Sequence, residues 1–244
     1  MERTPLTPAP LVYAHRGDRS RAPDNTLMAF DLAVEAKADG IELDVRRTSD
    51  GVLVITHDPQ IDSLPPVVDM SFADLRVQAP GVPTLKEALA RIPRSVFVNV
   101  EIKNAAHEPG FDPDRSIVDE TIAIIEASGD LDRVLMSSFD PVAVERTRSV
   151  APEVATGLLI TGTVSIADGV DLARDVDAAA LHPPMTTLDG AEDESIRVAH
   201  ASGLAVAVWN ANHVDEVRRA AAAGIDVVIT DDPTMAKREL EDSA

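Results

Sequence analysis

The stretch GIELDVRRTSDGVLVITHDP, residues 40–59, decides the fold of this chain. Its first residues alternate apolar with acidic side chains, which is typical of a β-strand that carries Glu42 and Asp44 on one face. A second β-branched run, VLVIT at 52–56, follows the turn pair Asp50-Gly51. Parallel pairing needs a crossover of about a dozen residues or more, so we predict an antiparallel hairpin that ends just before His57.

On both sides of this stretch, β-branched runs alternate with Ala-rich segments of helical periodicity. This alternation is typical of parallel β/α units, and eight strands are the number that a (β/α)8 barrel requires. We predict an α/β TIM barrel, as a single domain over residues 1–244, with the hairpin and a short insertion at about 59–83 in its second βα loop. The predicted barrel strands are 11–15, 40–45, 96–102, 133–137, 155–160, 178–182, 205–209 and 226–230. The predicted helices are 26–38, 72–76, 84–91, 115–128, 141–150, 164–174, 193–202, 214–223 and 234–241.

Composition narrows the classes of function. The chain has no cysteine, which excludes disulfides, thiolate metal sites and a cysteine nucleophile. Its 42 acidic against 22 basic residues give a net charge of −20, which disfavours nucleic acid as a partner. We find neither the apolar run of a signal peptide nor the roughly 18 apolar residues of a membrane span. We therefore expect a cytoplasmic protein without stable membrane insertion.

Acidic residues recur on neighbouring predicted strands. Glu42 and Asp44 share one face of the second strand, and Glu101 and Lys103 share one face of the third. Four charged groups inside a barrel are costly unless they are paired, and one divalent cation, Mg²⁺ or Ca²⁺, would neutralise the three carboxylates. Ordinary salt bridges on the outer face of the barrel remain an alternative.

Two histidines flank this predicted cluster. His15 ends the first strand and His57 follows the hairpin, and two imidazoles beside a bound phosphodiester suit an acid and a base. Arg16 precedes Gly17, so the strand is expected to end there and let the guanidinium face a phosphate. Trp209, at the end of the seventh strand, offers an apolar wall for an alcohol group, with core packing as the alternative.

Along most of its length the chain resembles the glycerophosphodiester phosphodiesterases. The resemblance runs from Leu11 to about Lys237 through AHRGDRSRAPDNTLMAF, GIELDVRRTSDGVLVITHDP, VPTLKEAL, VNVEIK, SSFDP, VAVWNANHVDEV and GIDVVITDDP. It implies a barrel with a bound divalent cation that hydrolyses glycerophosphodiesters to sn-glycerol 3-phosphate and an alcohol.

The same resemblance implies roles for eight residues. These are His15 and His57 as acid and base, Glu42, Asp44 and Glu101 as metal ligands, Arg16 and Lys103 as phosphate-binding residues, and Trp209 in the substrate cleft. We favour His57 as the base and His15 as the acid. We do not assign Asp58 a role in orienting His57, because adjacent side chains of an extended chain diverge.

The chain also departs from the family pattern. Asp24 stands where the family usually has glutamate, and we expect it to cap the first helix. The segment Trp209-Asn210-Ala211-Asn212 differs from the usual W-T-V-N, so the preferred alcohol stays open. Three other functions stay open as well: phospholipase D-like cleavage of lysophospholipids to a cyclic phosphate, non-catalytic binding of glycerol phosphates, and a metal-dependent carbon–carbon lyase on the same fold. The oligomeric state is not predicted.

Overall fold

The computed structural model describes residues 9–188 and 192–242. Within these ranges, eight parallel strands close into a ring, because β1 (Leu11–His15) pairs with β2 (Gly40–Arg47) on one side and with β9 (Val227–Thr230) on the other. The predicted TIM barrel is confirmed, and the predicted strand ends differ from the observed ones by at most two residues. The barrel strands are β1 (Leu11–His15), β2 (Gly40–Arg47), β4 (Phe97–Ile102), β5 (Val134–Ser138), β6 (Ala155–Leu159), β7 (Ala180–His182), β8 (Ala205–Trp209) and β9 (Val227–Thr230).

The predicted hairpin is also confirmed. Strand β3 (Leu53–Ile55) runs antiparallel to β2, with Val45 opposite Ile55. In the turn, the Thr48 hydroxyl donates to Asp50 Oδ1 at 2.6 Å. Gly51 has φ 81, a left-handed conformation that suits glycine at this position. Because β3 returns from the carboxyl end of β2, His57 comes back over the mouth of the barrel.

Helices connect the strands and cover the outside of the barrel. In the described chain they are α1 (Leu27–Glu35), α2 (Phe72–Gln78), α3 (Leu85–Arg91), α4 (Ser116–Ser128), α5 (Pro141–Val150), α6 (Ile166–Asp175), α7 (Glu192–Ala201), α8 (Val214–Ala223) and α9 (Pro233–Asp242), with short 3₁₀ turns at Val67–Asp69 and Met185–Leu188. Among these helices, none combines the length and the hydrophobicity needed to cross a bilayer.

Helix starts follow local capping chemistry. Thr84 and Glu87 form a reciprocal capping box at the start of α3, and Asp140 accepts from the backbone N–H of Val142 in α5. The expectation that Asp24 caps α1 is wrong. Thr26 is the N-cap and accepts from the backbone N–H of Ala29, because it stands directly before the first helical residue.

The second strand shows how the barrel separates its two faces. Ile41, Leu43 and Val45 are fully buried between the barrel wall and the helices, while Glu42 and Asp44 alternate with them toward the interior. Burying each such apolar side chain stabilises the fold by roughly 1.5–3 kcal/mol. The apolar face thus stabilises a strand that also buries two carboxylates.

Candidate active site

Three carboxylates meet inside the barrel at the carboxyl ends of β2 and β4. Asp44 lies opposite Glu101 in the strand register, and one carboxylate oxygen of each of Glu42, Asp44 and Glu101 lies within 4.8 Å of the others. All three are buried. Glu42 Oε1 and Asp44 Oδ1 have no hydrogen-bond partner among the described residues. Buried, adjacent and unsatisfied carboxylate oxygens form a donor set that fits a hard divalent cation.

The three carboxyl groups of this cluster differ in how readily they ionise. Burial raises the pKa of Glu42 well above its ordinary value, and the carboxylates of Asp44 and Glu101 raise it further. Burial likewise raises the pKa of Glu101. Burial also opposes ionisation of Asp44, but Lys103 and Arg16 outweigh it and lower the pKa of this carboxyl. Glu42 is therefore the carboxyl group of the cluster that is protonated most readily, and binding of a cation would displace its proton.

Two cations stand against the acid cluster. Lys103 Nζ lies 2.7 Å from Glu101 Oε1 and 3.5 Å from Asp44 Oδ1. Arg16 has φ 57 directly after β1, which turns its side chain toward the same place, and its Nε lies 3.2 Å from Asp44 Oδ2. Its terminal nitrogen donates to Asp24 Oδ2 at 3.0 Å, so Asp24 pairs with Arg16 instead of capping a helix.

His15 is fixed by a carboxylate from the opposite end of the chain. Its Nδ1 lies 2.6 Å from Asp231 Oδ1, and because a carboxylate only accepts, Nδ1 carries the proton. Nε2 then faces inward, 4.0 Å from Glu42 Oε2. Burial lowers the pKa of His15, and the hydrogen bond to Asp231 partly opposes that effect.

Asp231 is a site residue that was not predicted from the sequence. It directly follows β9 in the segment ITDDP, and an acid just after a strand of a parallel barrel lies on the catalytic side. Its position directly after a predicted barrel strand could therefore have identified Asp231 from the sequence. Asn212 donates to Asp231 Oδ2 at 2.8 Å, and Arg19 donates to Oδ1 at 3.3 Å, so the carboxylate is held in place.

His57 also has a carboxylate partner, against expectation. Its Nδ1 lies 2.7 Å from Asp58 Oδ1, because the chain bends at residues 57–59 instead of continuing extended. Asp58, which the extended-chain argument left without a role, therefore contacts the His57 ring directly. The Asp58 side chain is 73% exposed, so this pair faces solvent far more than the pair of His15 and Asp231 does. Burial lowers the pKa of the His57 imidazole.

Two asparagines that the sequence analysis overlooked support the cluster. Asn25 Nδ2 donates to Asp44 Oδ2 at 2.8 Å and so fixes the orientation of that carboxylate. Asn99 lies opposite Glu42 in the strand register, and its buried Oδ1 has no hydrogen-bond partner in the described part of the chain. Asn99 stands two residues before Glu101 on β4, so the alternation of the strand could have identified it.

One cavity of about 130 Å³ brings these groups together. Of the eight residues predicted for the site, all except Asp44 line it, and Asp44 contacts Arg16 and Lys103 at its wall. The lining residues are His15, Arg16, Glu42, His57, Asn99, Glu101, Lys103, Phe139, Leu159, Trp209 and Ile229.

Trp209 forms part of the apolar side of this cavity. Its Nε1–H donates to the carbonyl oxygen of His182 at 2.9 Å, and its ring meets Phe139 edge-on, with the centroids 5.8 Å apart. His182 itself is buried beside Gly157 rather than exposed at the mouth. The cavity thus has a charged half beside the acid cluster and an apolar half.

A larger cleft of about 710 Å³ lies between α8 and α9. Neither His15 nor His57 lines this cleft, and no residue of the acid cluster does. Its two arginines are already paired, Arg21 with Asp18 and Arg218 with Glu239. Despite its smaller volume, the cavity at the barrel mouth is therefore the candidate active site.

Known proteins resemble this chain in sequence and in fold. The sequence model of the glycerophosphoryl diester phosphodiesterase family matches residues 15–235. A glycerophosphodiester phosphodiesterase of Caldanaerobacter subterraneus subsp. tengcongensis is 31% identical over 240 residues, covering 91% of this chain and 94% of the relative. A glycerophosphodiester phosphodiesterase structure from Thermotoga maritima has a TM-score of 0.78 at 28% identity, covering 94% of this chain and 97% of that one. A phosphodiesterase of Oleispira antarctica, solved with sn-glycerol-3-phosphate, has a TM-score of 0.83 at 24% identity, with 96% and 97% covered.

Proposed function

Because the chain belongs to the glycerophosphoryl diester phosphodiesterase family, and is therefore a phosphoric diester hydrolase, we propose that it hydrolyses glycerophosphodiesters to sn-glycerol 3-phosphate and an alcohol. The observation that carries this proposal is the cavity in which two imidazoles, two cations and a buried acid cluster face one another. The Oleispira antarctica phosphodiesterase, which has the same fold, was solved with sn-glycerol-3-phosphate, and this supports the product assignment.

Glu42, Asp44 and Glu101 would hold one divalent cation, Mg²⁺ or Ca²⁺. Their unsatisfied, all-oxygen donor set supports a hard cation. When bound, such an ion supplies positive charge that neutralises the cluster and stabilises charge developing on a phosphate.

Arg16 and Lys103 would bind the oxygens of the phosphodiester. Both are held at the cavity wall by Asp44, and each has a second carboxylate contact, to Asp24 for Arg16 and to Glu101 for Lys103. Their positions are therefore set before substrate arrives. A guanidinium offers a fork of donors, whereas the ammonium acts as a compact charge.

The two histidines would move the protons. Because the Nδ1 of each imidazole is hydrogen-bonded to a carboxylate, the Nε2 of each would be the nitrogen that exchanges a proton with a substrate in the cavity. His57 would accept a proton from the attacking oxygen, which belongs to water or to the glycerol 2-hydroxyl. Attack by the 2-hydroxyl would give a cyclic glycerol phosphate, which a water molecule would then open to sn-glycerol 3-phosphate. His15 would donate a proton to the departing alcohol oxygen as its bond to phosphorus breaks. The partly buried partner Asp231 supports the acid role, because a nearby carboxylate stabilises the protonated imidazole.

Phosphorus NMR tests this proposal. Protein with Mg²⁺ or Ca²⁺ is incubated with glycerophosphocholine and, separately, with a lysophospholipid. Release of sn-glycerol 3-phosphate from glycerophosphocholine is expected. A cyclic phosphate as the sole stable product would instead favour the phospholipase D-like activity. Binding of glycerol 3-phosphate without turnover of any diester would favour a binding protein.

A further inference from the structure

Arg46 is a buried cation that the proposed reaction does not use. It lies two residues beyond Asp44 on β2, at the rim of the barrel, and its side chain is only 7% exposed. A buried guanidinium is costly unless its donors are satisfied. The partners of Arg46 therefore show what its position does for the site.

One partner is the main chain of His57. Arg46 Nε donates to the carbonyl oxygen of His57 at 2.7 Å. The main chain of the preceding residue is also held, because the Thr56 N–H donates to the carbonyl oxygen of Asp44 at 3.0 Å. The backbone that carries His57 is thus anchored to β2 at two successive residues, and one anchor is a side chain.

The other partner lies on the loop between β4 and α4. A terminal nitrogen of Arg46 donates to Glu108 Oε2 at 2.7 Å, and Lys103 is the first residue of this loop. Gly110 of the same loop approaches Val68 of the insertion so closely that an added Cβ would lie 3.3 Å from the valine Cβ. Arg46 therefore joins the segment that carries His57 to the segment that follows Lys103.

His57 depends on this anchor more than His15 does on any comparable contact. His15 lies in a strand paired on both sides and bonds a partly buried carboxylate. His57 lies beyond the last residue of β3, and its ring partner Asp58 is 73% exposed and belongs to the same loop. The contact between His57 and Asp58 cannot fix the position of the loop, because both residues belong to the loop and move with it.

We propose that Arg46 is a positioning residue for His57, with Glu108 holding the guanidinium in place. This inference rests on the proposed function, since it assigns His57 to the chemistry. Displacing a reacting group by about 1 Å can cost on the order of 100-fold in rate. Arg46→Met is therefore expected to lower kcat by roughly 10- to 100-fold while KM and metal affinity stay near wild type.

Arg47 provides a matched control. It is the next residue on β2 and is likewise paired, with Asp112 and Glu120, and among the described residues none of its side-chain hydrogen bonds or ion pairs reaches the His57 loop. Arg47→Met should lower thermal stability and leave kcat within about twofold of wild type, a difference below 0.5 kcal/mol in barrier. Arg46→Lys should recover part of the lost kcat, because an ammonium can still donate to the carbonyl oxygen.

The experiment measures kcat and KM on glycerophosphocholine, Mg²⁺ affinity, and the ¹³C shift of the His57 carbonyl for wild type, Arg46→Met, Arg46→Lys and Arg47→Met. A selective loss of kcat and a shifted carbonyl in Arg46→Met support the proposal. Wild-type kcat in Arg46→Met, or an equal loss in Arg47→Met, overturns it.

Two further outcomes stay informative. If Arg46→Met does not fold, Glu108→Ala replaces it: a loss of kcat supports the proposal, and wild-type kcat overturns it. If the wild-type protein turns over no diester, the proposed function fails separately. The ¹³C shift of the His57 carbonyl then tests by itself whether Arg46 anchors the His57 backbone. An unchanged shift in the Arg46 variants would overturn the proposal.

Discussion

Replacing Asp231 with asparagine should slow catalysis without disturbing the metal site. The substitution keeps an oxygen that can accept from His15 Nδ1 but removes the negative charge from a contact of 2.6 Å. Hydrogen bonds to charged groups contribute about 1.5–3 kcal/mol. The Asp231 side chain is 26% exposed, so the lower end of that range applies. About 1.5 kcal/mol in the barrier corresponds to roughly a tenfold lower kcat.

The assay follows release of sn-glycerol 3-phosphate from glycerophosphocholine at saturating Mg²⁺, with metal affinity measured separately. Asp232→Asn is the matched control, since the neighbouring carboxylate accepts from the backbone N–H of Met235 at the start of α9. It should lower stability slightly and leave kcat unchanged. Wild-type kcat in Asp231→Asn, or an equal loss in Asp232→Asn, would refute the reasoning.

Three other predictions concern the barrel interior. Glu42→Gln should weaken Mg²⁺ or Ca²⁺ binding by at least about tenfold in calorimetric titration, because it removes one of three charges that face the ion; unchanged affinity would contradict the ligand assignment. Burial lowers the pKa of His182 from 6.5 to about 4. The unfolded chain therefore binds a proton between these pH values that the folded chain does not, and stability falls as pH drops through that window. Relative to His182→Leu, the wild type should lose up to about 3 kcal/mol in denaturant unfolding between pH 7 and pH 4, and parallel curves would contradict this. Gly157→Ala would place a Cβ 2.5 Å from His182 Nε2 and should destabilise the fold by about 1–3 kcal/mol in the same assay, so wild-type stability would show that the ring gives way freely.

The sequence predicted the architecture well because strand periodicity and turn chemistry are local. Glu42 and Asp44 share a face on any β-strand, and Asp50-Gly51 permits only a short reversal between two β-branched runs. To predict the acid cluster, one further fact was needed, namely that the second and third barrel strands are neighbours. Their neighbouring positions follow from the consecutive β/α units.

The contacts that the sequence did not predict depend on closure of the barrel or on local bends. Asp231 reaches His15 across 216 residues of chain, because β9 returns to pair with β1. Asp24 pairs with Arg16, whereas Thr26, directly before the first helical residue, forms the N-cap. The contact between His57 and Asp58 arises from a bend that no periodicity encodes.

The most direct test of the two-histidine assignment is turnover of glycerophosphocholine by His15→Ala and His57→Ala, with Mg²⁺ affinity measured on the same samples. His107→Ala, which alters an exposed loop histidine, serves as the control. Each site variant should lose about 10²- to 10⁴-fold in kcat while binding Mg²⁺ as the wild type does. Normal turnover in His57→Ala would contradict the proposed acid–base pair.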